Sequence, residues 1–209
     1  MTSPGPKKFW MKFGIKSLLV VILIIAAEML IASRYHIALV ANIPCLPARM
    51  YLYRFTSSEN FHRGDQLVFK TDQRHFPRFP VGTRFLKDVQ CLPGEEVEID
   101  SFCHVRCIGP DGPVYDSQLE TGVLQLLGRS CSDFASKYRI PPDHYFVVGT
   151  FPHSWDSRYW GLVKPEQLLG KVVYTLWGYD SKDREKDLEL LKAAGKGPYD
   201  HAKEFKPKP

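Results

Sequence analysis

The sequence carries no internal repeat and no long low-complexity tract, so it does not read as a repeat array or as a disordered chain. It also lacks charge of one dominant sign. Lys and Arg total 28 against 23 Asp and Glu, a formal +5, and the basic residues gather at the two ends around a centre of mixed sign. That distribution gives no basic stripe for nucleic acid, and no nucleic-acid partner is expected. Cysteine is scarce, five in all, and the spacings match no strong zinc pattern. No metal or cofactor is expected. A full-length apolar membrane run is missing too, since the strict run from Leu18 to Ala27 is broken by Glu28 before Met29 to Ala32.

What is present is enough for one domain with attachments. The 209 residues are 44% hydrophobic and 13% aromatic, sufficient for a real core. Lys7, Lys8, Lys12 and Lys16 precede the apolar run, which reaches membrane length by borrowing Phe13, Ile15 and the stretch towards Val40. A cleaved secretory signal has a similar layout, but Ile31-Ala32-Ser33 is a poor imitation of a small-residue cleavage site, so a retained anchor is expected. Four lysines before the span, against Arg34 and His36 after it, place the N-terminus in the cytoplasm and the rest outside. The expected layout is a basic N-terminus over 1–16, an anchor over 17–40, a β-rich domain over 41–177 and a charged tail over 178–209. Glu28 is expected near the outer interface, partly solvated.

An exported domain meets an oxidising compartment, where an odd cysteine count leaves one thiol over. If Cys45 is that thiol, Cys91, Cys103, Cys107 and Cys131 have three possible pairings. Cys103 and Cys107 lie close enough in sequence to close a small loop, and a zinc site with His104 is the competing reading.

The fold class is mainly β. Gln66 to Lys70, Phe85 to Cys91, Glu96 to Ile99, Tyr145 to Val148 and Lys171 to Leu176 are short β-branched and aromatic runs. They are bounded by turn signals at Gly64-Asp65, Pro93-Gly94, Pro141-Pro142 and Gly170. Short strands between turns favour a sandwich or barrel. Residues 100–142, with three of the cysteines, read as an inserted lobe. Asp183 to Ala194 suits a short helix in an otherwise solvated tail.

Three segments carry chemistry. In Asn42-Ile43-Pro44-Cys45-Leu46-Pro47 two prolines stiffen an extended backbone around a cysteine. In Phe85-Leu86-Lys87-Asp88-Val89 a lysine stands among apolar residues, and a lysine serves as a base at neutral pH only when its surroundings disfavour the ammonium. Taken alone, it is an ordinary surface strand lysine. In Ser154-Trp155-Asp156-Ser157-Arg158 hydroxyls, a carboxylate and a guanidinium are spaced for a satisfied polar network.

Together these segments resemble signal peptidase I, the membrane-bound serine and lysine peptidases, and in particular the TraF-type branch from conjugative transfer. Cys45-Leu46-Pro47 through Tyr51 is similar to the nucleophile box, Lys87 through Glu95 to the lysine box, and Ser154 through Arg158 to the closing Ser-x-Asp-Ser-Arg box. The resemblance implies Cys45 as nucleophile and Lys87 as the base that takes its proton. It also implies that Ser154 hydrogen-bonds the lysine, that Asp156 and Arg158 pair to hold the site, and that the substrate lies as an extended strand in an apolar groove.

The sequence departs from that pattern in three places: Cys45 for serine, Ile43 where a hydroxyl residue helps bind the oxyanion, and Gly149-Thr150-Phe151 for Gly-Asp-Asn. A thiol ionises near 8.5 and is easily activated by a neighbouring cation. The backbone N–H of Cys45 remains for the oxyanion, and Asn42 is expected to supplement it. The expected activity is therefore processing, and in one version cyclisation, of a pilin or other exported precursor at a bacterial inner membrane, alongside a conjugative transfer apparatus. General leader-peptide removal is the nearest alternative. The others are an inactive assembly component and a Cys45–His153 pair.

Overall fold

The computed structural model describes residues 6–40, 44–56, 60–75 and 79–195, with side chains from residue 13 onward. The chain divides into two units between His36 and Ile37.

The first unit is built on α1 (Pro6–Arg34). Its segment Phe13–Arg34 is 22 residues of mean hydropathy 2.5, with none of it buried. At 1.5 Å per residue that segment is about 33 Å long, enough to cross a hydrocarbon core of about 30 Å. The apolar stretch therefore reaches membrane length by extending towards the N-terminus. On the other side it stops at Arg34, and Tyr35–Leu39, expected inside the anchor, forms strand β1.

In the second unit a six-stranded sheet has the order β1-β2-β10-β3-β4-β9. Its members are β1, β2 (Ala48–Phe55), β3 (Gln66–Lys70), β4 (Arg84–Cys91), β9 (Phe146–Val148) and β10 (Leu168–Gly178). A second sheet, ordered β7-β6-β5-β8, comprises β5 (Glu96–Ile99), β6 (His104–Gly109), β7 (Gly112–Gln118) and β8 (Ser136–Arg139). Among the described residues the α-helices of this unit are α2 (Thr121–Leu127), α3 (Ser157–Trp160) and α4 (Ser181–Ala193). The expected inserted lobe is thus the bulk of a sheet that begins at β5.

Both sheets feed one core. Phe69, Val89, Phe146 and Val147 from the first pack in the same cluster as Val97, Val105 and Cys107 from the second, each at 0% exposure. Burying one such side chain contributes about 1.5–3 kcal/mol. Two disulfides reinforce the join. Cys91–Cys107 links β4 to β6, and Cys103–Cys131 ties the start of β6 to the segment after α2. The small Cys103–Cys107 loop is not the pairing found, because both residues belong to β6 and its approach, where the extended chain carries their side chains apart. The four bridged cysteines leave none for the zinc alternative, and Cys45 is the free thiol.

Candidate active site

Cys45 stands on the bend that leads into β2. Leu46, at 1% exposure, drops into the core and anchors the bend while Cys45 stays half-buried. Three successive carbonyls around the thiol are engaged. Cys45 O accepts from Phe151 N at 3.1 Å, Leu46 O from Ala48 N at 2.7 Å, and Pro47 O from Tyr179 N at 3.2 Å. The Cys45 N–H donates to no acceptor among the described residues. Asn42 and Ile43 lie outside the described residues.

Lys87 is placed by the alternation of β4. Its side chain shares the inward face with Val89 and Cys91, and it pairs across the sheet with Leu67. At 3% exposure it is a core position, not the surface strand lysine that the residue alone suggests. The Phe85 ring lies 5.7 Å from Nζ, and Lys87 has no hydrogen-bond or ion-pair partner among the described residues. A cleft of about 400 Å³ is lined by both Cys45 and Lys87, with apolar walls from Ile37, Leu39, Val68, Phe79, Phe85 and Leu86. Thiol and amine face one cavity without a hydrogen bond between them, as is common before substrate draws a site together.

Behind the thiol lies the Ser154 to Arg158 block. Ser154 is fully buried, and its Oγ has no hydrogen-bond partner among the described residues. Gly149 separates it from Cys45. A Cβ there would fall 2.7 Å from Ser154 Cβ, 3.1 Å from Cys45 Cβ, and closer still to Ser154 Oγ. Asp156, at 0% exposure, caps α3 and accepts two bonds from Arg158, Nε to Oδ1 at 2.9 Å and Nη2 to Oδ2 at 2.8 Å. Its Oδ2 also takes the Gly149 N–H at 3.1 Å, so the pair holds the turn beside the thiol. Burial works against the charge on Arg158, yet Asp156 keeps it above the ordinary guanidinium range. Arg158 Nη1 reaches Gln118 O at 2.9 Å and secures the end of β7.

The sequence model of the signal peptidase, peptidase S26, family matches residues 10–177. The chain belongs to that family. A probable signal peptidase I-2 from Synechocystis is 27% identical over 180 residues, spanning 82% of this chain and 75% of the relative. Signal peptidase I from Bacillus caldolyticus is 41% identical over 105 residues, 46% of this chain and 54% of that one. The conjugal transfer protein TraF of Agrobacterium fabrum is 34% identical over 92 residues, 43% and 48% of the two chains. A crystal structure of a signal peptidase I from Enterococcus faecalis is 25% identical and covers 54% of this chain and 97% of its own, at a TM-score of 0.32.

In this signal peptidase I-like peptidase of the S26 family, Asp88 follows Lys87 in β4 and Thr150 follows Gly149 just after β9, and the two are partners. Thr150 Oγ1 donates to Asp88 Oδ2 at 2.9 Å across the β4–β9 pairing. Burial pushes the Asp88 carboxyl up, opposed by hydrogen bonds from Thr150 and Gln66 and by the nearby Lys87. Tyr51, in the nucleophile box, lines the cleft and donates to Ala48 O at 2.7 Å. Its phenol is pushed far up, first by burial and then by the charges of Asp88 and Cys45. His153 lines the same cleft from a left-handed backbone (φ 64°), with its ring against α2, where a Cβ on Gly122 would fall 2.6 Å from Cε1. Arg184 of α4 also lines the cleft. It was missed in the sequence, where one arginine in a charged tail carries no distinguishing signal.

Proposed function

We propose that the chain is a membrane-anchored endopeptidase that uses Cys45 and Lys87 to process a pilin or similar exported precursor in a conjugative transfer or type IV secretion system. In this reading α1 anchors it in a bacterial inner membrane with its N-terminus in the cytoplasm and its catalytic unit in the periplasm. The observation that carries it is the meeting, in one apolar cleft, of the only free cysteine and a lysine at 3% exposure. A lysine is rarely fully buried without a partner, and such a position suits a base.

The precursor enters the cleft as an extended strand. Lys87 Nζ takes the Cys45 thiol proton as sulfur attacks the scissile carbonyl carbon. The Cys45 N–H, joined by Asn42, holds the oxyanion. The Lys87 ammonium then gives its proton to the departing amine, leaving a thioester on Cys45. Ser154 Oγ, which makes no hydrogen bond among the described residues, is assigned the orienting of Lys87 once substrate is bound, and Asp156 with Arg158 keeps the turn at Gly149 in place. Water resolves the thioester to a carboxylic acid, with Lys87 again taking a proton. Alternatively an amino group of the same precursor attacks, which expels the thiol and closes a ring.

A second reading, general leader-peptide removal, is favoured by the 82% coverage of this chain in the match to a probable signal peptidase I-2, against 43% in the match to TraF. Purified protein should be incubated with a candidate pilin precursor and with an ordinary leader-bearing precursor, and the products weighed by mass spectrometry. Cleavage of the pilin is expected, with a loss of about 10²–10⁴-fold on Lys87→Met and complete loss on Cys45→Ala. Cleavage of the leader-bearing precursor alone selects the second reading. Full processing by both Cys45→Ala and Cys45→Ser overturns Cys45 as the nucleophile, and no cleavage of either precursor by the wild type leaves only an assembly role. An active Lys87→Met transfers the base to His153. A pilin product heavier by one water than the closed ring excludes cyclisation.

A further inference from the structure

Helix α4 begins at Ser181, after the last residue matched by the family model, and grips both segments that frame the thiol. Its start is defined by a capping box, in which Asp180 accepts from Asp183 N at 2.9 Å and Asp183 accepts from Asp180 N at 3.1 Å. Tyr179, just before it, is 2% exposed, and its N–H donates to Pro47 O, two residues from Cys45. The Tyr179 ring stands edge-on to Phe151 at 6.0 Å, and its hydroxyl donates to Asp187 Oδ2 at 2.9 Å. Asp187 also pairs with Arg49 of β2, whose guanidinium lies 4.7 Å over the Tyr179 ring. One turn earlier in α4, Arg184 Nη2 donates to Pro152 O at 2.9 Å, with its guanidinium 5.6 Å over the Phe151 ring. Phe151 is the residue whose N–H holds the Cys45 carbonyl.

We propose that α4 is a clasp on the active site and that Arg184 is its positioning residue. By fixing Phe151-Pro152 from outside, Arg184 sets the loop whose N–H fixes the Cys45 backbone, and so the direction of the sulfur in the cleft. The chain from Arg184 to the thiol is short and continuous: guanidinium to Pro152 O, peptide to Phe151 N, N–H to Cys45 O. Displacement of a reacting atom by about 1 Å costs up to about 10²-fold in rate, so a small loosening of this loop is read directly in turnover. The clasp acts on kcat: although Arg184 also lines the cleft, the apolar walls described above belong to β1, β3, β4 and Phe79, not to α4.

This inference rests on Cys45 being the nucleophile, and its test keeps the two apart. The full-length protein is assayed for kcat and KM on a peptide spanning the cleavage site, as wild type, Arg184→Ala, Arg184→Lys and Cys45→Ala. In parallel the alkylation rate of Cys45, the one free thiol, is measured with iodoacetamide, and the folded fraction by thermal unfolding. Arg184→Ala should lower kcat about ten- to a hundredfold with KM nearly unchanged, alter the Cys45 alkylation rate severalfold and leave the folded fraction intact. Arg184→Lys, which keeps a donor for Pro152 O, should recover most of both. Unchanged kcat in Arg184→Ala overturns the clasp, as does a fall that only tracks loss of folded protein or one confined to KM. Activity in Cys45→Ala overturns the nucleophile itself.

Discussion

At residue 149 the backbone passes so close to Ser154 and Cys45 that only a hydrogen fits, which makes this glycine a spacer between the Cys45 thiol and the Ser154 hydroxyl. Gly149→Ala must push one of them aside. An overpacked methyl costs about 1–3 kcal/mol, and a thiol displaced by about 1 Å loses about 10²-fold in rate. The expected outcome is a folded enzyme with kcat reduced by about that factor, checked by kinetics beside thermal unfolding; undiminished kcat would remove Gly149 from the site. His75 supports the cleft wall from behind, its ring 5.7 Å from Phe85 and 4.6 Å from Trp160. Burial pushes its imidazole below 6.5 although Asp72 pulls the other way. The folded state therefore prefers neutral His75. Stability from this group is full above pH 6.5 and is lost as pH falls below it. Asp65 and Asp72, held below 3.8, contribute losses only at lower pH, while Asp88, raised by burial, runs the opposite way. Subtracting the profile of His75→Gln isolates the histidine. As pH falls below 6.5 the wild type should lose stability that the variant keeps.

Among the elements, short β-branched and aromatic runs bounded by turn signals were legible in the sequence. β3 and β5 have the expected limits, and β4 differs by one residue because Arg84 extends the pairing with Lys70. β2 was not seen, since Arg49 and Arg54 interrupt its apolar pattern, although Tyr51 and Tyr53 face inward at the required spacing. Lys87 was legible as a box residue, and its burial follows from the period of β4, with Val89 and Cys91 on the same face. The pairing of the cysteines was not legible, because it depends on β4 and β6 being brought face to face by a core that forms from distant segments. The Cys91–Cys107 bridge closes a 16-residue separation between the two sheets. Replacing both cysteines with alanine should cost about 2–4 kcal/mol, seen as a lower urea midpoint; an unchanged midpoint would show that the shared core alone joins the sheets. Least legible was α4. Its helix was expected, but its role was not, because a solvated tail and a clasp have the same amphiphilic composition.

For the whole molecule, an apolar helix of membrane length, a unit with two disulfides and a single spared thiol fit one division of labour. In the proposed function the helix supplies attachment, the bridged β unit supplies the cleft, and the unpaired sulfur supplies reactivity. The central claim is that peptide cleavage proceeds through a thioester on that sulfur. The most direct measurement is acid quenching of enzyme mixed with excess precursor, followed by intact-mass and peptide-mass analysis. An adduct of the precursor's acyl fragment should map to Cys45, disappear with neutral hydroxylamine and be absent in Cys45→Ala. Cleaved precursor with no adduct on Cys45, and cleavage that persists in Cys45→Ala, would contradict it.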